Sequence, residues 1–437
     1  MRTQLSRRIT AIGALALTAV IGAGSAAPAA AASGQWWYDT YQVEKNQSAG
    51  WTGEGVKIAV IDEQINPDLP VFSGTTLTVA EGALCEGRSA TSAELTPGAG
   101  HGSNVTALLI GNGDTPAGTR GIVPGADVTF YGYGPEPEGS QTNTCQPPPE
   151  AQEASLSQLG WGIRRAMEDG ADIISMSFGL YPEPGDDDVI AEALARGVVL
   201  VGSVYNGGSS IAETQLFPWS YRGVIAVNAM DANGTLVVDT NWGIPHTVSG
   251  TTVVAAGVDV PIMGSGGDWS AVGTATGSSF ATPLVAGMLA ATSQKYPKAS
   301  GNQLIQSLIR NTGSTDHELE FNDADGYGYG LASLTHMLSV DPTQYEDENP
   351  LLDKSYMIVG SDYPTDEQLA AARAALPSPT PSATDAPAAE PAVAAQSTDL
   401  SGVIITIGVV VVVLAAAAVI TIVVVRNNRK NRSRSPQ

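Results

Sequence analysis

Residues 56–61, Val56-Lys57-Ile58-Ala59-Val60-Ile61, form a nearly continuous apolar run of strand length. Similar runs recur at 128–131, 173–177, 198–204 and 223–227. Between them, 104–110, 155–169 and 188–196 carry helix-like spacing, the first following His101-Gly102-Ser103 as an apparent helix start. Continuous apolar strands separated by helices predict a mostly parallel sheet covered on both faces, an α/β class. The pattern decays after Val340. Residues 341–375 are acidic, with a short helix expected at 367–375, and residues 376–395 are rich in Pro, Ala, Ser and Thr, the composition of an extended linker. Residues 403–425 carry no charge, and Thr406 and Thr421 are their polar side chains. As a helix they would be about 34 Å long, enough to cross a bilayer core.

The ends give the address. Arg2, Arg7 and Arg8 precede an apolar run and the tract Ala29-Ala30-Ala31-Ala32, the order of a secretory signal peptide cleaved near Ala32. Arg426, Arg429, Lys430, Arg432 and Arg434 follow the apolar segment directly, which predicts a tail held in the cytoplasm. A cell-wall sorting signal would need Leu-Pro-x-Thr-Gly just before the span. The nearest approach, Leu376-Pro377-Ser378-Pro379-Thr380, lacks the Gly and lies far upstream. The expected organisation is a signal at 1–32, a catalytic-sized domain at 33–340, a linker at 341–402, a transmembrane helix at 403–425 and a basic tail at 426–437. The domain would stand outside the cell membrane on a single-pass anchor.

Charge narrows the function. The whole chain has 21 Lys and Arg against 44 Asp and Glu, a formal net of −23. Setting aside the basic ends leaves 13 basic against 44 acidic residues over 33–425, a net of −31. Such a body repels phosphate backbones, which excludes nucleic acid as a partner. Cys85 and Cys145 are the two cysteines. An even count in an exported segment predicts one disulfide, the alternative being two free thiols, and no His lies near them to complete a metal site.

Four residues stand where chemistry gathers. Asp62 ends the run 56–61, at the strand edge where α/β sites form. His101 sits in Gly100-His101-Gly102-Ser103-Asn104-Val105. Asn206 follows the run 198–204 in Tyr205-Asn206-Gly207-Gly208. Ser279 lies in Thr276-Gly277-Ser278-Ser279-Phe280-Ala281-Thr282-Pro283, where glycine-rich sequence enters an apolar helix with Pro in its first turns. Taken singly, these have bland readings: a turn cap, a structural His, an Asn-Gly turn and an N-cap serine.

In this order the four motifs resemble the subtilisin-like serine proteases, whose triad runs Asp, His, Ser. The resemblance covers roughly residues 51–338. It takes in Ser175-Met176-Ser177-Phe178-Gly179, similar to the family's substrate-lining strand, and Gly326-Tyr327-Gly328-Tyr329-Gly330-Leu331, similar to the turn before its last core helix. It implies a subtilisin-like fold and peptide-bond hydrolysis through an acyl-enzyme. Asp62, His101 and Ser279 would be catalytic, Asn206 and the Ser279 N–H would form the oxyanion hole, and Ser177, Phe178, Gly179 and Tyr205 would line the substrate site. No cofactor is required. Calcium is a common structural ion in the family, but no ligand loop here identifies a metal site. Within the family the layout resembles the mycosins, membrane-anchored proteases associated with type VII secretion, through Trp36-Trp37-Tyr38, the short lead-in to Asp62, and the stalk, span and basic tail. Expected partners are therefore a protein or peptide substrate, the membrane, and type VII secretion components.

The departures matter too. Glu63 and Gln64 stand where the family has Ser or Thr and then Gly, so a second carboxylate beside Asp62 is expected to raise the His101 pKa, and the turn to shift. Ser278 replaces a Thr, Ala107 a Gly, and Tyr205 a small Gly beside the primary specificity pocket, which is expected to be narrowed. Such changes leave a competing reading open, a weakly active or inactive scaffold of the same fold that stabilises a membrane secretion complex.

Overall fold

The computed structural model describes residues 35–135, 144–206, 217–238, 245–353 and 362–376. Helices α1 (Trp36–Thr40) and α2 (Val43–Ser48) lead into a seven-stranded sheet. Its strands are β1 (Lys57–Asp62), β2 (Leu77–Val79), β3 (Asp127–Gly132), β4 (Ile173–Met176), β5 (Val199–Ser203), β6 (Ile225–Met230) and β7 (Val253–Ala256). The order is β2-β3-β1-β4-β5-β6-β7, and every pair is parallel. Strands β4 to β7 are buried at every position, as expected where helices cover both faces. The chain steps from β1 to one side through β3 and to the other through β4. The carboxyl end of β1 is therefore a switch point, where open parallel sheets form their clefts.

One face packs α3 (Pro97–Ile110), α7 (Ser278–Lys295) and α8 (Gly301–Arg310). The other packs α5 (Gln158–Glu168) and α6 (Asp186–Ala195), with the short α4 (Pro149–Glu153) beside them. Helix α7 is buried from Ser278 to Thr292 and runs behind β4 to β7. A two-stranded antiparallel hairpin, β8 (Val260–Met263) with β9 (Val272–Ala275), leads into it. Helix α9 (Leu334–Ser339) follows the Gly326–Gly330 turn and packs on α7.

Two helix starts differ by three residues or more from the sequence expectation. Helix α3 begins at Pro97, because the Thr96 side chain accepts the Ala99 N–H at 3.0 Å, so His101 lies within the helix rather than at its entry. Helix α5 begins at Gln158, because Ser155 takes a left-handed conformation (φ 53°) and Ser157 caps the helix through the Gly160 N–H. Asp186 steadies this corner. Its buried carboxylate accepts the Ser157 and Glu183 N–H groups at 3.0 and 2.8 Å, and burial pushes its pKa up to about 6.

Cys85 and Cys145 form a disulfide with Cα atoms 5.3 Å apart, joining the segment after β2 to the chain that enters α4. The N-terminal helices are pinned to the sheet edge. Trp37 is fully buried, Trp36 Nε1 donates to the Val258 carbonyl, and Tyr41 Oη accepts the Ala256 N–H at 2.7 Å.

The packed body continues past 340. Leu351 is fully buried, and α10 (Asp366–Ala375) lies on α6 with Leu369 buried. Among the described residues no helix is long and apolar enough to cross a membrane. The expected signal segment, span and tail, together with 354–361 and 377–402 of the expected linker, lie outside the described residues.

Candidate active site

Asp62 is the last residue of β1, and parallel pairing with β3 and β4 fixes the direction in which it leaves the sheet. Its Oδ1 accepts the Glu63 N–H at 2.7 Å, which closes the turn. The His101 Nδ1 lies 3.0 Å from both Asp62 oxygens. Asp62 is 2% exposed and the His101 side chain 31%, so the pair is buried on the acid's side and open on the imidazole's. An Nδ1–H given to this carboxylate leaves Nε2 of the neutral ring as the proton acceptor. Burial of the ring lowers the His101 pKa. The Asp62 charge, the hydrogen bond to it and the Glu63 charge together outweigh that, and the pKa is raised above the ordinary imidazole value. The upward pull expected from Glu63 is therefore present.

The turn after Asp62 survives without a glycine because Gln64 becomes part of it. The buried Gln64 amide accepts the Thr96 hydroxyl at 3.1 Å and donates to the Ser89 carbonyl at 3.0 Å, tying the turn to the α3 cap. Glycine is needed instead at 102. A Cβ there would fall 2.1 Å from the Gln64 carbonyl oxygen and 3.0 Å from the Phe130 ring, so only glycine lets α3 bring His101 up to Asp62.

Ser279 is the second residue of α7, after Gly277 at the N-cap position. The N-cap reading of this serine therefore does not hold. Its N–H lies in the first turn, whose donors have no intrahelical acceptor, at the positive end of the helix dipole. The end of β4 anchors that turn, since Ser177 Oγ donates to the Ser279 carbonyl at 2.8 Å. Asn206 follows β5. Its Oδ1 accepts the Ser278 N–H at 2.8 Å, and the Ser278 hydroxyl lies 2.5 Å from the Val204 carbonyl and 2.9 Å from the same Oδ1. With its oxygen occupied, the amide presents Nδ2 toward the serine. A Cβ at Gly277 would lie 3.3 Å from both Asn206 Nδ2 and Ser279 Oγ.

These groups line one cleft of about 550 Å³, formed by Asp62, Glu63, His101, Tyr133, Ser177, Phe178, Gly179, Ser203, Val204, Tyr205, Asn206 and Ser279. Every site residue expected from the sequence therefore falls on one wall or another of a single concavity, apart from the disulfide cysteines. Tyr205 forms part of the wall. The sequence reading did not place Glu63 or Tyr133 in the lining. Tyr133 had a signal, since it stands one step past Gly132, the register partner of Asp62. An apolar second concavity of about 360 Å³ meets the first at His101, with Leu95, Pro97, Met263 and Phe280 on its walls. The Phe280 ring stands edge-on to the imidazole at 5.8 Å. Among the described residues no group of three or more His, Cys, Asp or Glu side chains is placed to hold a metal ion.

A buried Asp–His pair that shares a cleft with a helix-start serine and an amide is a set of groups able to activate the hydroxyl and stabilise an oxyanion. Comparison with known proteins agrees with this chemistry. The model of the subtilase family matches residues 53–330. Subtilisin BL of Lederbergia lenta is 27% identical over 302 residues, covering 68% of this chain and 96% of the relative. Alkaline elastase YaB of Bacillus sp. (strain YaB) is 28% identical over 301 residues, covering 68% of each. Among solved structures, fervidolysin from Fervidobacterium pennivorans superposes with a TM-score of 0.55 at 23% identity, covering 70% of this chain and 46% of that one. MycP1 with its N-terminal propeptide removed gives 0.50 at 18%, covering 72% and 99%. At those identities the two structures speak for the fold alone.

Proposed function

The chain belongs to the subtilase family as a subtilisin-like serine endopeptidase, and from that premise we propose that Asp62, His101 and Ser279 are its catalytic triad. His101 Nε2 takes the proton as Ser279 Oγ adds to the scissile carbonyl. The oxyanion that forms is held by Asn206 Nδ2 and the Ser279 N–H, one such donor contributing about 3 kcal/mol in the transition state. Collapse of the tetrahedral adduct breaks the C–N bond, and His101 returns the proton to the leaving amine. Water then repeats the sequence on the acyl-enzyme, freeing the acid and Ser279. Asp62 keeps the imidazole in the required tautomer and stabilises its cation. Ser177, Phe178, Gly179 and Tyr205 line the channel for the peptide. The observation that carries this reading is the His101 Nδ1 at 3.0 Å from both Asp62 oxygens, in the same cleft as Ser279 and Asn206.

The enzyme is also proposed to be exported by the segment 1–32 and held on the outer face of the cell membrane by 403–425, with 426–437 in the cytoplasm. The order of charged, apolar and small residues at one end, and the uncharged run followed by five basic residues at the other, support that address. The mycosin-like layout supports a link to a type VII secretion complex. A chain ending at residue 402 is expected to leave the membrane fraction for the medium.

The deciding test is labelling of the full chain, purified in detergent, with a small fluorophosphonate and intact-mass readout. One adduct is expected on wild type and none on Ser279→Ala or His101→Ala. A folded wild type that takes no adduct would overturn the triad.

A further inference from the structure

Asp62 and His101 come from different elements, β1 and α3, 39 positions apart in sequence. Contacts between those elements therefore fix how closely the pair meets. The first turns of α3 are rich in glycine, and Gly98, Gly100 and Gly102 offer no side chains to interlock with their neighbours. Polar ties hold that stretch instead. Asn104 donates from Nδ2 to the Met263 carbonyl at 3.0 Å and accepts the Met263 N–H on Oδ1 at 2.8 Å. Two further ties run to the turn after Asp62. Gln64 Oε1 accepts the Thr96 hydroxyl at 3.1 Å, and Ser103 Oγ accepts the Asn66 N–H at 2.9 Å. His101 lies between Thr96 and Ser103 on the helix side, and Asp62 lies just before Gln64 on the other.

The partners of the Gln64 amide settle its orientation. Thr96 Oγ1 accepts the Ala99 N–H as helix cap, so its own hydrogen goes to Gln64 Oε1. Nε2 then faces the Ser89 and Thr91 carbonyls at 3.0 and 3.4 Å. Gln64 is 3% exposed, so losing one of these partners leaves a buried polar group unpaired. The strap that carries Ser89 and Thr91 is itself fixed. The Leu84 N–H donates to the Gly132 carbonyl at 2.8 Å, and Cys85 is bonded to Cys145. The Ile65 N–H donates to the Ala90 carbonyl and the Ser92 N–H to the Ile65 carbonyl, both at 3.0 Å. Gln64 therefore spans a fixed strap on one side and the cap of α3 on the other.

We propose that Gln64 is a positioning residue for the catalytic pair: its amide ties the cap of α3 to the turn after Asp62 and so sets how far the helix carries His101 toward that carboxylate. The inference rests on the catalytic reading above, since it concerns the same Asp–His pair. Gln64 acts through Thr96 and touches no reacting atom. The glycine that the family resemblance leads one to expect at this position has no side chain with which to make the tie.

The test is the rate at which a small fluorophosphonate labels Ser279 in the full chain, read on the alkaline plateau where the imidazole is neutral and at a temperature where every variant is folded. The probe carries no peptide, so its rate reports activation of the serine and not the filling of subsites. Gln64→Leu keeps a buried side chain of similar size and removes the tie, and its rate is expected to fall about 10- to 100-fold, the scale of a misplaced catalytic group. Thr96→Val is expected to be slowed as well, and Thr96→Ser, which keeps the hydroxyl, to label near the wild-type rate. The double variant Gln64→Leu/Thr96→Val is expected to lose no more than Thr96→Val alone, because both changes break the same bond. Arg222→Ala, remote from the cleft, controls for stability: its Tm falls while its labelling rate stays at the wild-type value. A folded Gln64→Leu that labels at the wild-type rate would overturn the proposal. So would additive losses in the double variant, or a loss in Arg222→Ala as large as that in Gln64→Leu. If Gln64→Leu does not fold, the Thr96 pair decides, a slowed Thr96→Val beside a normal Thr96→Ser supporting the tie and equal rates refuting it. Labelling indifferent to residues 64 and 96 sinks the positioning role alone, whereas no labelling of folded wild type sinks the catalytic reading and this role with it.

Discussion

Asn206 and Glu63 divide what a single residue reveals in sequence from what it reveals in space. Asn206 was legible because it ends a buried apolar run and is followed by glycines. Its orientation was not, because that depends on Ser278, 72 positions away, whose N–H occupies the Asn206 oxygen. Replacing Asn206 by Ala removes Nδ2 and takes the acceptor from the Ser278 N–H, while the Ser278 hydroxyl keeps the Val204 carbonyl. The expected result is a fall in kcat of about 10²–10³ with KM nearly unchanged, since the lost bond forms only with the oxyanion. A loss confined to KM would assign Asn206 to ground-state binding. Glu63 was visible as a departure beside Asp62, but its place in the cleft depends on the empty position at Gly98. Its effect on pH has a fixed sign. In the proposed mechanism His101 accepts the proton as the neutral ring, so the acid limb of kcat/KM follows the free enzyme's imidazole pKa. Glu63 pulls that pKa upward. Glu63→Gln therefore moves the acid limb to lower pH and leaves the alkaline plateau in place. A limb that stays put or moves up would mean the carboxylate does not act on the imidazole.

At the scale of elements, the strands read most clearly were β1, buried at every position after Lys57, and β4 to β6, buried throughout, because continuous apolar runs have little competing explanation. The three-residue β2 and the β8–β9 hairpin had no such signature. Both are short, and β9 alternates exposed and half-buried positions instead of running apolar. Helix α3 shows why a boundary goes astray. Gly98, Gly100 and Gly102 make its first turns resemble a loop, yet the Thr96 cap and Pro97 begin the helix there. Two of those glycines are space requirements rather than breaks, one for the Glu63 carboxylate and one for the Gln64 carbonyl. Gly102→Ala tests the second. A backbone oxygen 2.1 Å from the new Cβ cannot rotate away, so α3 must shift and carry His101 from Asp62. The expected cost is about 1–3 kcal/mol in urea unfolding, with a larger loss of fluorophosphonate labelling rate than the change in stability explains. Unchanged labelling would show that α3 can slide without disturbing the pair.

For the molecule as a whole, composition separated an acidic body from its basic ends but placed the edge of that body too early. Residues 341–375 read as the acidic first part of a linker because acidic side chains are dense there, while the groups that hold its described residues down are sparse and distant in sequence. Arg222 is the main clasp. Its guanidinium donates to the Leu352 and Pro364 carbonyls and to Asp366, and its N–H donates to the Tyr363 carbonyl. Gly223 and Asn349 add a backbone bond to Leu351 and a side-chain bond back to Gly223, and Gln368 reaches Asp188 on α6. Leu351 buries its side chain in the core beside α8, and Leu369 buries its own where α10 lies on α6. Each buried leucine contributes about 2 kcal/mol and each hydrogen bond about 1 kcal/mol, against the entropy of ordering the segment. A chain ending at Val340 is therefore expected to be less stable than one ending at Leu376 by about 3 kcal/mol, lowering Tm by about 5 °C or more. Arg222→Ala in the longer chain should give part of that loss, and in the shorter chain almost none, since its acceptors are already gone. Equal melting of the two chains would mean that the segment merely rests on the surface. Non-additive losses of this kind would instead make it a structural part of the domain.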